Sequence, residues 1–421
     1  MIQRWLSETD HPDARDPYFL YRASNLGSVI GLLSYPILME PSLRLYNQGI
    51  FWSVGYGLLI VLVFASAVML WRSAPATTAT GQEAELAAAG GASPNPPVGA
   101  GGGAPETGAS LSEAVAAGLS GSPTLLRRLR WIGLAFVPSS MMLGVTSFIT
   151  TDITPIPLLW VLPLSLYLFS FVIIFSRSAR MPDVAHKVMV GMFPLVATAL
   201  VLTILVRPPI PYWGLILLHL FGFFVAAMVL HGELGRDRPP ARHLTEFYLW
   251  VAVGGVLGGV FNALIAPVAF STVVEYPLAI ILACLFVPGP VLAWLARGDE
   301  GRDRRDEEDG SQATRRPLDP RLLDLAVPLL LGAGLWALGW IDDNIIAEDY
   351  RNRFWQLGLT GVACLFFAYF SNRPIRFGLS IAVLVVITTL IYGISPGIYE
   401  NRSFFGVYRV SEDTSVYGPD N

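Results

Sequence analysis

Imidazole and carboxylate side chains come together twice within one short stretch. The first instance is His231-Gly232-Glu233, and the second, across a brief basic loop, is His243-Leu244-Thr245-Glu246. These two side-chain types in combination ligate metals or carry protons. His243 and Glu246 are three residues apart, so a helix beginning there sets both on one face. That makes His231 and His243 a candidate proton or cation relay, and the quartet a candidate metalloenzyme centre. The spacing is not that of a zinc site. A plainer account competes: Glu246 in a first helical turn complements the helix dipole, and Thr245 or His243 caps free N–H groups.

Other chemistry-bearing residues are scattered. His219 lies inside an apolar run, Leu217-Leu218-His219-Leu220-Phe221, where an ionisable group is costly and is usually retained for function. The competing account is a neutral imidazole bonded to a neighbouring helix. Glu40, Asp152 and Glu275 each sit within three residues of a proline at the edge of an apolar run. They read either as solvated span ends or as an acidic vestibule for a cationic substrate, with Glu233 and Glu246 bracketing the path from the other side. Asn262 is an amide expected to bond across helices. It follows Gly254-Gly255-Val256-Leu257-Gly258-Gly259, whose two small-xxx-small patterns let helices approach to backbone contact in lipid. No P-loop, dinucleotide fingerprint or nucleophile–base arrangement occurs, so no cofactor is expected.

The elements that must position these residues are helices in a bilayer. Hydrophobic residues make up 53% of the 421, and charged residues 14%, against about 25% charged in a soluble domain. The net charge of -4 gives no reason to expect a nucleic-acid partner. Cys284 and Cys364 fall in apolar runs and read as packing residues. Eleven apolar stretches approach spanning length: 24–40, 51–71, 131–150, 156–176, 187–206, 212–231, 246–267, 274–295, 323–341, 355–371 and 376–395. The fold class expected is an all-α polytopic transmembrane bundle.

Basic residues fall on alternate connections. Arg4, Arg15 and Arg22 precede the first span; Arg72, Arg127, Arg128 and Arg130 flank the second connection. Arg177, Arg180 and Lys187, then Arg236, Arg238 and Arg242, and finally seven arginines in 296–322 continue the series. Arg44 and Arg207 stand alone on the other side. The positive-inside rule then makes the N-terminus and the 72–130 and 296–322 loops cytoplasmic. The chain divides into a first membrane pair (1–72), a disordered Ala/Gly/Pro-rich linker (73–130) and a six-helix bundle (131–295). A charged loop (296–322), further membrane helices (323–396) and a polar tail (397–421) follow.

Several phrases carry a family resemblance. They are the run Asp16-Pro17-Tyr18-Phe19-Leu20-Tyr21-Arg22, the run Phe136-Val137-Pro138-Ser139-Ser140-Met141-Met142, and Pro157-Leu158-Leu159-Trp160-Val161-Leu162-Pro163. His231-Gly232-Glu233-Leu234, the stretch 243–267, Glu275-Tyr276-Pro277 and Arg402-Ser403-Phe404-Phe405-Gly406-Val407-Tyr408 complete the set. Together they resemble the membrane moiety of the bacterial fused major-facilitator/spermidine-synthase-like proteins. The resemblance implies a major-facilitator-like, transporter-like bundle in the bacterial inner membrane, with a small cation such as a polyamine as solute. It also implies a spermidine-synthase-like soluble domain or subunit as partner, for which the chain would otherwise serve as a membrane anchor. In that family further helices precede the first phrase and an aminopropyltransferase-like domain follows the last. The chain therefore resembles the middle of a longer protein, and aminopropyl transfer is not expected of it alone. Eleven crossings place the tail outside, which makes 376–395 the first candidate for a segment that turns back.

The orientation has a direct check. Ala100→Cys and Arg305→Cys should react with a membrane-impermeant maleimide in inverted vesicles and stay unlabelled in intact cells; the opposite pattern reverses the assignment.

Overall fold

The computed structural model describes residues 19–72, 123–176, 180–240, 243–286, 320–345, 358, 361–362, 373–392, 399–404 and 406–410. Residues 73–122 of the expected linker, most of the charged loop, most of the span at 355–371 and Cys364 lie outside them. The described chain is mostly helical. Helix α1 (Phe19–Ser34) runs on through a wide π turn, Tyr35–Met39, and a last turn at Glu40–Ser42. Then come α2 (Leu45–Arg72), α3 (Leu125–Phe148, continued by a π turn at Ile149–Ile153), α4 (Val161–Ile174), α5 (Arg180–Val206) and α6 (Tyr212–Arg236). Helix α7 (Leu244–Val260) also ends in a π turn, Phe261–Ile265, before Ala266–Ala269. The remaining elements are α8 (Glu275–Phe286), α9 (Pro320–Ile345), α10 (Pro374–Tyr392) and the antiparallel hairpin β1 (Tyr399–Ser403) and β2 (Gly406–Val410).

Five of these helices are long and apolar enough to cross a membrane: Leu45–Met69, Leu125–Ile153, Asp183–Val206, Tyr212–Arg236 and Leu244–Ala269. Four shorter apolar helices accompany them, at Val161–Ile174, Glu275–Phe286, Leu322–Ala337 and Ile375–Leu390. The stretch expected at 156–176 is helical only from Val161, because Pro155 and Pro157 leave turns ahead of it. Helix α3 begins at Leu125, earlier than the expected 131. Thr124 accepts from Arg127 N at 3.3 Å and caps the start. The three arginines assigned to the linker therefore ride on the first turns of a helix.

Helices α3 and α6 form the centre. Helix α3 packs against α4, α6, α7 and α8. Trp131, Met141, Val145, Phe223, Met228 and Tyr276 are fully buried there. Lipid gives apolar helices no reason to leave it, so close packing has to hold such a bundle together. The α3–α7 seam shows how. A β-carbon at Gly258 would lie 2.7 Å from Phe136 O and 2.9 Å from Ser139 Cβ, and one at Gly254 would strike Ile132 O. Gly255 and Gly259 meet nothing within 4 Å. Of the two small-xxx-small patterns, only Gly254/Gly258 faces a helix, and Ser139 Oγ donates to Gly255 O at 2.9 Å across the seam.

Pair contacts fix the direction of the last helices. Gly378 lies against Leu285 at the end of α8, whereas Arg402 reaches Glu275 at its start. Helix α10 therefore runs antiparallel to α8, from the end bearing Leu285 to the end bearing Glu275. Gly332 meets Val383, and Arg376 pairs with Asp324, so α9 and α10 run parallel. At about 1.5 Å per residue a 19-residue helix is about 28 Å long. Helix α10 thus starts beside the end of α8 that bears Leu285, and the hairpin sits at the arginine-poor end, beside Glu275. Helix α2 is different: every residue from Gly49 to Ser66 is exposed.

The seam predicts an asymmetric glycine scan. Gly258→Leu should cost about 1–3 kcal/mol through overpacking, read as a lower unfolding midpoint in detergent, while Gly259→Leu should leave the midpoint unchanged. Equal losses at both would mean that the seam is misassigned.

Candidate functional site

The histidine–carboxylate quartet does not converge. On a helix, His231 and Glu233 are two residues apart and point about 200° away from each other. His231 is buried between α6 and α4. Its Nδ1 lies 2.6 Å from Ser170 Oγ, and its ring stacks on Phe171 with centroids 3.8 Å apart. Its Nε2 has no hydrogen-bond partner among the described residues. Glu233 faces the other way. Its Oε2 accepts from Arg130 Nη2 at 2.8 Å, and its Oε1 lies 3.2 Å from His186 Nε2 and 3.7 Å from Arg236 Nη1. His186 fits there because Gly232 has no side chain; a β-carbon would collide with the imidazole.

Asp237 extends this cluster. It accepts from Arg127 Nε at 2.8 Å, Arg130 Nη1 at 3.1 Å and Trp131 Nε1 at 3.1 Å. Glu246 pairs separately with Arg128 at 2.7 Å and with His243 at 3.7 Å. It also accepts a longer bond from Trp250 Nε1 at 3.4 Å. His243 is the residue before α7 and makes no side-chain cap. Among the described residues no three His, Cys, Asp or Glu side chains are grouped to hold a metal. The arginine-rich end is therefore an ion-pair network tying the starts of α3, α5 and α7 to the end of α6.

His219 turns out to be bonded on both sides of its ring. Nδ1 lies 2.8 Å from Tyr276 Oη and Nε2 lies 3.2 Å from Thr203 Oγ1, joining α6 to α8 and α5. Phe148 packs over it at 4.8 Å. This is the neighbouring-helix account of that residue, and Tyr276 was the partner that the sequence did not signal.

The arginine-poor end holds the other carboxylates. Asp152 and Asn262 lie within π turns, and Glu40 immediately follows one. Such turns recur at functional sites. Along the turn at Ile149–Ile153 and just before it, the Thr150 and Thr146 hydroxyls bond back to Thr146 O and Met142 O at 2.9 and 2.8 Å. Glu40 is exposed. Asp152 lies 4.0 Å from Arg207, which follows α5 with a φ of 49°. Asn262 Nδ2 donates to Ser140 Oγ at 2.7 Å and Gly258 O at 2.9 Å, so the expected cross-helix amide bond is present. Glu275 is buried and paired with Arg402: Nη2 to Oε1 at 2.6 Å and Nη1 to Oε2 at 2.8 Å.

The clefts between the described helices include two that present polar side chains. One of about 660 Å³ lies between α1, α3, α4 and α7 and presents Tyr21, Tyr167, Tyr248, Ser139 and Thr245 among apolar side chains. None of the candidate residues lines it. The other, of about 340 Å³, lies under the hairpin and is lined by Asn262, Ser147, Thr150, Thr151 and Arg402. Comparison with known proteins finds no matching family profile, no similar curated protein and no similar solved structure.

The ion-pair network predicts a non-additive double variant. Arg130→Ala removes one of several cations shared by Glu233 and Asp237 and should cost about 1.5 kcal/mol, whereas adding Glu233→Gln should recover part of the loss in the same thermal-unfolding assay. Additive losses would show that the two side chains are not coupled.

Proposed function

We propose that this chain is a multi-pass module of the bacterial inner membrane, its arginine-rich end in the cytoplasm, that binds and moves a small cationic solute. The observation that carries this reading is Glu275. Its side chain is 1% exposed, yet it holds a cation at the arginine-poor end of the bundle. A carboxylate taken out of water needs such a partner. The cleft beside it offers hydroxyls from Ser147, Thr150 and Thr151 and the Asn262 amide, a lining suited to a small polar ligand. The resemblance to fused major-facilitator/spermidine-synthase-like proteins supports the same direction, with a polyamine-type solute and a transporter-like arrangement of about 11 spans.

A second reading has its own observation. The hairpin at 399–410 is fastened to the bundle through Arg402, which favours a membrane anchor that positions a spermidine-synthase-like domain or subunit. Glu233 and Glu246 are engaged by arginines, and among the described residues no three His, Cys, Asp or Glu side chains are grouped, so the membrane-metalloenzyme alternative draws no support here.

Reconstitution separates the two. Proteoliposomes should accumulate labelled putrescine or agmatine, and Glu275→Gln with Asp152→Asn should lower the rate at least about tenfold, the loss of roughly one charge-assisted contact. No flux, with co-purification of a spermidine-synthase-like partner, would establish the anchor instead.

A further inference from the structure

The Glu275 site is more particular than a general acidic vestibule. Both carboxylate oxygens are engaged by the two terminal nitrogens of one guanidinium, at 2.6 and 2.8 Å. Arg402 Nη1 also donates to the backbone carbonyl of Thr272 at 2.6 Å. Three acceptors are thus set around the edge of a planar cation. A guanidinium meets such a set with parallel N–H bonds, whereas an ammonium presents a compact point charge whose donors diverge. Burial sharpens the preference, since the carboxylate has little water to complete its shell.

The group that fills this position is carried on a slight element. Strands β1 and β2 are five residues each and, among the described residues, pair only with each other. A lone two-stranded hairpin is marginal by itself. The cleft of about 340 Å³ lies between this hairpin, through Arg402, Ser403, Phe404 and Val407, and the π-turn ends of α3 and α7. On the bundle side Asn262 spends both contacts of its Nδ2 on Ser140 and Gly258, while its buried Oδ1 has no hydrogen-bond partner among the described residues. A buried amide oxygen without a donor costs free energy. It marks the cleft as the place for a ligand that brings N–H groups.

We infer that Glu275, the Thr272 carbonyl and Asn262 form a binding site for an alkylguanidinium cation, and that Arg402 on the hairpin occupies it as a tethered competitor. This rests on the cationic-solute reading and narrows its solute from amines in general to guanidines. The guanidinium of the ligand takes the place of Arg402 on Glu275, and its chain lies in the cleft toward Asn262. The hairpin must lift for the ligand to enter, so occupancy of the site and seating of the hairpin exclude each other.

The test compares n-butylguanidinium with n-butylammonium, equal in charge and chain length, by equilibrium dialysis on the full chain in detergent. Arg402→Ala should bind butylguanidinium at least about tenfold more tightly than the unaltered chain, because the competitor is gone. Glu275→Gln in that background should abolish the binding, and Asn262→Leu should weaken it. Butylammonium should bind more weakly throughout. Arg402→Lys, which keeps a cation on the hairpin, serves where Arg402→Ala does not fold and should show an intermediate gain. Binding that survives Glu275→Gln, equal affinity for the ammonium, or no gain in either Arg402 variant overturns the site. Binding without flux in proteoliposomes overturns transport and leaves the site standing. Amine flux without guanidinium binding does the reverse.

Discussion

A carboxylate buried among apolar helices has to be met by a cation, and at each end of this bundle that requirement decides which helices come together. At the arginine-rich end Arg130 reaches both Glu233 and Asp237, while His186 closes on Glu233 from α5. The contact joins three helices through side chains that would otherwise each bear a large desolvation cost. Helix packing in lipid supplies no hydrophobic drive of its own. Charge matching at the ends, glycine-mediated approach along the α3–α7 seam and cross-helix hydrogen bonds such as His219–Tyr276 and Asn262–Ser140 accordingly give the assembly its direction.

The two ends use the same chemistry in different ways. The network around Glu233 and Asp237 is shared among several arginines and an indole, so no one bond has to carry it. Glu275 has a single guanidinium, brought by a short hairpin from far along the chain. A distributed network resists opening. A one-to-one pair held by a small element opens at the cost of that element alone.

Much of the helical organisation was legible because an apolar run long enough to span is a strong local signal. The beginnings of helices were less so. Arg127, Arg128 and Arg130 looked like linker residues because three arginines within four positions suggest solvent, and only their partners at the end of α6 and on α7 show why they belong on α3. The His231–Glu233 grouping was misleading for a geometric reason: adjacency along a helix is not adjacency in space, and two residues apart means opposite faces. Asn262 bonded across helices as its type and setting suggested. His186 was missed since its role depends on the bare backbone of Gly232 opposite. The Glu275–Arg402 pair spans 127 positions and has no local signature at all.

The wide turns at the ends of α1, α3 and α7 carry one more consequence. A π turn stores a residue beyond what the regular spiral requires, and its hydrogen bonds reach one position further. Passing that surplus residue along the helix turns the residues it moves past by about 100° with no break in the ladder. Asp152 and Asn262 sit on such stored residues. Their side chains can thus be re-aimed by a ratchet internal to each helix, while the opposite rim stays clamped.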